Sequence, residues 1–190
     1  MGLKEAKGYI EELHKRQDNP YLWPDYLTGL PDKAAIIKEI SATYGKGKDC
    51  VIYVRIANIH PYLIKYGPDR HAELIQWAAA ILKTTAGKYK AFVGALSSHD
   101  FIAVCGKAHA DDFTQEASKV FGKKALSFYS EEDIKKGRVI SFVGEGKKVS
   151  VGLMKLISSS DCGKSGIPKE HIIQHLGSLC DKLEGTASSA

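Results

Sequence analysis

Ser97, Ser98, His99 and Asp100 are the residues best placed to do chemistry: two hydroxyls, an imidazole and a carboxylate at consecutive positions. Apolar runs rich in β-branched and aromatic residues, at 92–96 and 101–105, flank them. That pattern predicts a tight β-hairpin with the four residues at its tip. A hairpin tip can hold a catalytic group rigidly at a sheet edge, and it can equally be a solvated turn. A hydrolase fits poorly, because adjacent side chains in a turn diverge and do not form a nucleophile–base pair. One His and one Asp are also too few ligands for a metal site. His14, His60, His71, His109, His171 and His175 are not clustered in sequence and read as surface or helix residues.

The elements that must position this tip can be read from periodicity. Leu3, Ala6, Ile10 and Leu13 recur at helical spacing, which predicts a helix over 3–16, either a packing helix or the stub of a longer one. A loop with Pro20 and Pro24 and a turn-rich lead-in over 25–31 follow, then a helix with Ile36, Ile37 and Ile40 on one face. Residues 50–58 read as a strand, with Val51, Tyr53, Arg55 and Ala57 on one face and Ile52, Val54 and Ile56 on the other. Arg55 in so apolar a strand needs a partner. Helices are expected at 60–66, 69–83 and 111–121, a short strand at 125–129 and a capped helical turn from Ser130. A second hairpin pairs 138–143 with 149–156 across Gly144-Glu145-Gly146. Residues 157–168 read as a loop, Pro168 opens a last helix, and the tail from Gly185 reads as disordered. Helices mixed with two hairpins argue an α+β fold whose central sheet is mostly antiparallel and flanked by helices.

The chain of 190 residues is long enough for one domain with a proper core. Its net charge is +5, yet the lysines are scattered and no basic run is interleaved with aromatics, so nucleic acid is not an expected partner. No apolar stretch is long enough to span a bilayer, so direct membrane insertion is not expected either. Cys50, Cys105, Cys162 and Cys180 are far apart and form no CxxC, which indicates neither a zinc site nor a disulfide framework. They read as small buried hydrophobes in a reducing cytoplasm.

With its elements placed, the chain resembles a GGDEF domain, the diguanylate cyclase module of bacterial signalling, over roughly residues 22–184. Residues 1–21 are then an N-terminal helix and linker, and 185–190 a tail. Asp25-Tyr26-Leu27-Thr28-Gly29-Leu30-Pro31 is similar to the family's D-x-L-T-G-L-P opening. Residues 53–67 are similar to its first-strand and following-helix stretch. Phe92-Val93-Gly94 precedes the signature position, as in GGDEF domains found in EAL-containing proteins, and residues 128–133 and 149–152 match later segments of that subgroup. The implied fold is the palm of nucleotidyl cyclases.

The functional positions depart from the family. Its signature Gly-Gly-Asp-Glu-Phe is Ser97-Ser98-His99-Asp100-Phe101 here, and a serine Cβ crowds the backbone against which GTP would lie. The first-strand metal-binding aspartate is replaced by Arg55, and the next acidic position by Ala57. The guanine-reading positions are Leu63 and Ala72, no Lys or Arg follows Lys182, and the R-x-x-D inhibitory site becomes Lys88 to Ala91. Magnesium wants carboxylate oxygens. A guanidinium 4 Å from a unit positive charge is repelled by roughly 4 kcal/mol at an effective dielectric of about 20, and by about twice that from a divalent ion. The resemblance therefore implies a vestigial signature (Ser97 to Phe101), a vestigial metal site (Arg55, Ala57, Asp100) and a vestigial inhibitory site (Lys88, Ala91). No catalytic residue, metal or cofactor is expected. The expected function is a non-catalytic regulatory or protein-interaction domain of a bacterial signalling pathway, cytoplasmic, partnered by other signalling domains or proteins or by a second copy of itself. The alternative is a domain that still binds GTP or cyclic-di-GMP, or a residual diguanylate cyclase. Arg55 is expected to pair with Asp100, with His99 as the competing acceptor.

Overall fold

In the computed structural model, which describes residues 2–16, 27–143 and 146–188, a central strand organises the chain. This strand, β1 (Asp49–Ala57), lies antiparallel between β3 (Asp100–Gly106) and β6 (Lys155–Asp161), and β2 (Phe92–Ala95) completes a four-stranded sheet in the order β2-β3-β1-β6. Its alternating pattern explains its central place. Ile52, Val54 and Ile56 enter the main core with Phe101, Ala103 and Cys105, under α1 (Leu3–Arg16), α4 (Pro68–Tyr89) and α5 (Ala110–Ala125). Val51 and Tyr53 enter a smaller core on the opposite face with Ile102, Val104, Ile36, Ile40, Ile172, Leu176 and Cys180. That face is covered by α2 (Lys33–Thr43) and α7 (Ile172–Ser188).

The fold is the expected α+β arrangement of helices around an antiparallel sheet. α1 buries Ala6, Ile10 and Leu13 and packs along α4. α3 (Ile59–Tyr66) leaves β1 through Asn58, which adopts a left-handed conformation, and Pro68 opens α4 where its missing N–H costs nothing. Gly94 is required on β2: a Cβ there would come within 2.5 Å of Ile36 and 2.9 Å of the Pro31 carbonyl. α2 can therefore lie directly on the first hairpin. Part of the lead-in expected over 25–31 lies outside the described residues.

Five expectations change. The strand expected at 125–129 is a 3-10 turn, Leu126–Phe128, because α5 runs on to Ala125 and the chain then tightens to bury Phe128. The strand expected at 149–156 is two strands. β5 (Lys147–Gly152) pairs with β4 (Arg138–Val143), and after a break at Leu153 and Met154 the chain becomes β6 in the main sheet. The Met154 N–H donates to Tyr129 Oη at 2.7 Å, fixing that break. β6 thus occupies the first part of the loop expected at 157–168, and α7 extends through the first residues of the expected disordered tail, to Ser188. Finally, Cys50 and Cys162 form a disulfide across 112 positions, while Cys105 and Cys180 are free and buried. No local spacing could show the pair: Val51 faces Asp161 across β1–β6, and only that register brings the two cysteines together. Among the described residues no helix is long and apolar enough to cross a membrane.

Candidate functional site

Arg55 forms the last pair of the β1–β3 ladder, directly opposite Asp100 at the base of the hairpin tip. Its Nε donates to Asp100 Oδ1 at 2.7 Å, with the two side chains only 11% and 13% exposed. The expected pairing is present, and His99 is not the acceptor of that bond. The guanidinium also bonds Asp181 and approaches Glu184 at 3.4 Å, both carried by α7. The Tyr53 ring lies 5.6 Å below it. Burial alone would lower the Arg55 pKa, but the bonds to Asp100 and Asp181 outweigh it and raise it, so the group is a permanent cation. Tyr53 is pushed up to about 12 by burial and by the Asp100 charge.

Glu184 makes a second contact. Its Oε1 accepts the Asn58 N–H at 3.2 Å, immediately before α3. A helix start presents unpaired N–H groups and a partial positive charge, so it favours an anion. Here the anion is a protein carboxylate. A shallow cavity of about 300 Å³ beside it is lined by Asn58, Ile59, His60, Asp181 and Glu184. Asp181 and Glu184 carry nothing in their sequence neighbourhood that marks them. Only the packing of α7 on β1 and β6 delivers them.

The hairpin tip is wired to itself. Ser97 Oγ accepts the N–H groups of His99 at 3.4 Å and Asp100 at 3.2 Å, so two of the tip amides are already engaged. The His99 carbonyl accepts the Ile56 N–H at 2.9 Å, which locks the tip onto β1. Ser98 is exposed and its Oγ is 3.3 Å from His99 Nδ1; Phe101 is fully buried in the core. His99 Nε2 is 3.7 Å from Asp100 Oδ2. The histidines are less scattered than the sequence implies: the rings of His60 and His99 meet edge to face at 5.5 Å, and both act on His71. Burial first, and then these two neighbours, hold the His71 pKa below 6.5. Among the described residues no group of three or more His, Cys, Asp or Glu is arranged to hold a metal ion.

Ala57 is fully buried at the end of β1, without any polar group to offer. Leu63 and Ala72 lie half-buried on α3 and α4. Lys88, near the end of α4, is bonded to Glu116 of α5 at 2.7 Å, and Tyr89 shares the same carboxylate at 2.7 Å; Ala91 follows on the chain towards β2. The structure thus unites Arg55 and Asp100 but leaves Lys88 and Ala91 on a separate surface.

No protein-family model matches this sequence, and neither does any curated protein sequence. Solved structures do match. The coiled coil and GGDEF domain of DgcB from Caulobacter crescentus, in complex with c-di-GMP, aligns over 98% of this chain and 94% of its own, with a TM-score of 0.59 at 14% identity. This chain has the GGDEF-domain fold. The GGDEF domain of FimX from Pseudomonas aeruginosa aligns over 87% of this chain and 93% of its own, with a TM-score of 0.53 at 13% identity. Diguanylate cyclase SiaD from the same organism, in complex with its activator SiaC, aligns over 94% of this chain and 65% of its own, with a TM-score of 0.58 at 10% identity. At these identities the likeness is one of GGDEF architecture. The side chains that line the centre of the sheet are this chain's own.

Proposed function

We propose that this chain is a non-catalytic GGDEF-fold domain that works as a regulatory or protein-interaction module in bacterial cyclic-di-GMP signalling, in the cytoplasm. The observation that carries this reading is the Arg55 cluster. A fixed cation on β1 is already held by Asp100, Asp181 and Glu184, at the place where a cyclase of this fold would gather a divalent metal. Phosphoryl chemistry on a nucleoside triphosphate needs positive charge that arrives with the substrate and a carboxylate free to hold it. Asp100 is not free, and the start of α3 is covered by Glu184. Ser97, Ser98, His99, Asp100 and Phe101 then form a vestigial signature, Arg55, Ala57 and Asp100 a vestigial metal site, and Lys88 and Ala91 a vestigial inhibitory site. SiaD, which is in complex with an activator protein, is a precedent for a partner bound to a chain that contains this fold. A partner protein, a neighbouring signalling domain or a second copy of the chain is the ligand class this reading requires.

The test is incubation with GTP and magnesium or manganese, with cyclic-di-GMP measured by chromatography, alongside thermal melts with GTP and with cyclic-di-GMP. No product and no shift are expected. Product formation that Asp100→Ala abolishes would overturn the reading in favour of a cyclase, and a nucleotide-dependent rise in melting temperature would favour a nucleotide-binding domain.

A further inference from the structure

The Cys50–Cys162 disulfide lies at the end of β1 opposite the Arg55 cluster. Cys50 is fully buried. Cys162, first in the loop that leads from β6 towards α7, is partly exposed. A thiolate opens a disulfide by attacking along the S–S axis at one sulfur, and of the two cysteines Cys162 is the one that meets solvent. The surroundings select the attacker. Gly163 lies against Gly45, which brings the loop after Cys162 onto the segment that carries the exposed Lys46 and Lys48. The Lys48 carbonyl accepts the Lys107 N–H at 2.9 Å, which adds exposed Lys107, and Lys164 follows in the loop itself. The carboxylate of Asp161 is turned inward, bonded to Tyr44, Ser165 and the N–H groups of Gly163 and Lys164. Asp49 is the one half-buried carboxylate left among these segments.

We propose that Cys162 is a site of reversible S-thiolation by an anionic low-molecular-weight thiol of the glutathione class. The thiolate attacks Cys162 Sγ, a new S–S bond forms there, the Cys50–Cys162 bond breaks, and Cys50 leaves as a thiolate that takes up the proton given off when the incoming thiol ionised. One disulfide is exchanged for another and one thiol for another, so no external oxidant is consumed. A thiol released into the apolar core is protonated and a poor nucleophile. Burial already pushes up the thiol of Cys105, which faces Cys50 across β1–β3. Reclosure is therefore slow and the mixed disulfide persists.

The experiment treats the purified, unreduced protein with glutathione, with neutral 2-mercaptoethanol and with cationic cysteamine, each rate normalised to that thiol's rate with a small neutral disulfide. Adducts are located by peptide mass spectrometry without reduction. The expected result is a glutathione adduct on Cys162, forming about tenfold faster than the cysteamine adduct at low salt. That preference should shrink with added salt and in Lys46→Glu/Lys48→Glu, whose changes are on the surface. Cys162→Ser should carry no adduct. The proposal is overturned if the unreduced protein alkylates at all four cysteines, if the adduct maps to Cys50, Cys105 or Cys180, or if the three thiols react at the same normalised rate.

Discussion

Arg55 shows how one side chain can decide the chemistry of a site. Its partner Asp100 is nearly as buried as it is, so neither charge is well solvated alone. Removing one member of such a pair leaves an uncompensated buried charge. Asp100→Ala is expected to lower unfolding free energy by about 3 kcal/mol in a denaturant titration. Arg55→Met/Asp100→Leu together should recover most of that loss, since the pair is replaced by apolar groups of similar volume. Arg55→Asp should destabilise more than Arg55→Met, because it sets a fourth carboxylate beside Asp100, Asp181 and Glu184. If the proposed non-catalytic reading holds, it should also produce no cyclic-di-GMP.

His71 supplies a pH dependence at the same scale. Its pKa is lower in the folded protein than its ordinary value of 6.5, so the unfolded chain binds the proton more tightly. Its contribution to stability is intact above pH 6.5 and is lost as pH falls through the folded value. A melting-temperature profile from neutral pH downward should fall less steeply in His71→Gln than in the parent. An identical slope would remove His71 from the explanation.

At the scale of elements, α7 is the piece that closes the centre of the molecule. Ile172, Leu176 and Cys180 bury one stripe of it in the smaller core, and that rotation turns Asp181 and Glu184 towards Arg55 and the start of α3. Glu184→Gln should cost about 0.3–1 kcal/mol, the range for an anion at a helix N-terminus, read by denaturant titration. The disulfide acts on the same arm from the other side of the loop. Closing 112 positions constrains the unfolded chain by about 4–5 kcal/mol in the chain-entropy picture. A lower melting temperature in reductant, matched by Cys162→Ser without reductant, is the expected outcome.

For the whole molecule, the sequence determined the fold class because periodicity reports burial directly. β1 alternates between two apolar faces, and only a strand covered by helices on both sides satisfies that pattern. The first hairpin was equally legible, since two β-rich runs around a polar tetrad leave the chain little else to form. The pairing of Arg55 with Asp100 followed only with the family resemblance: a charge on a strand face needs an acceptor, and the likeness to a GGDEF domain set Asp100 opposite it. Tertiary structure alone decided the rest. Asp181 and Glu184 lie more than a hundred residues from Arg55, Cys162 as far from Cys50, and His60, His71 and His99 come from three separate elements. Each of these contacts is set by how a surface packs, not by a repeat along the chain. A spacing pattern records which face of an element is buried, and it carries no record of which distant element will cover that face.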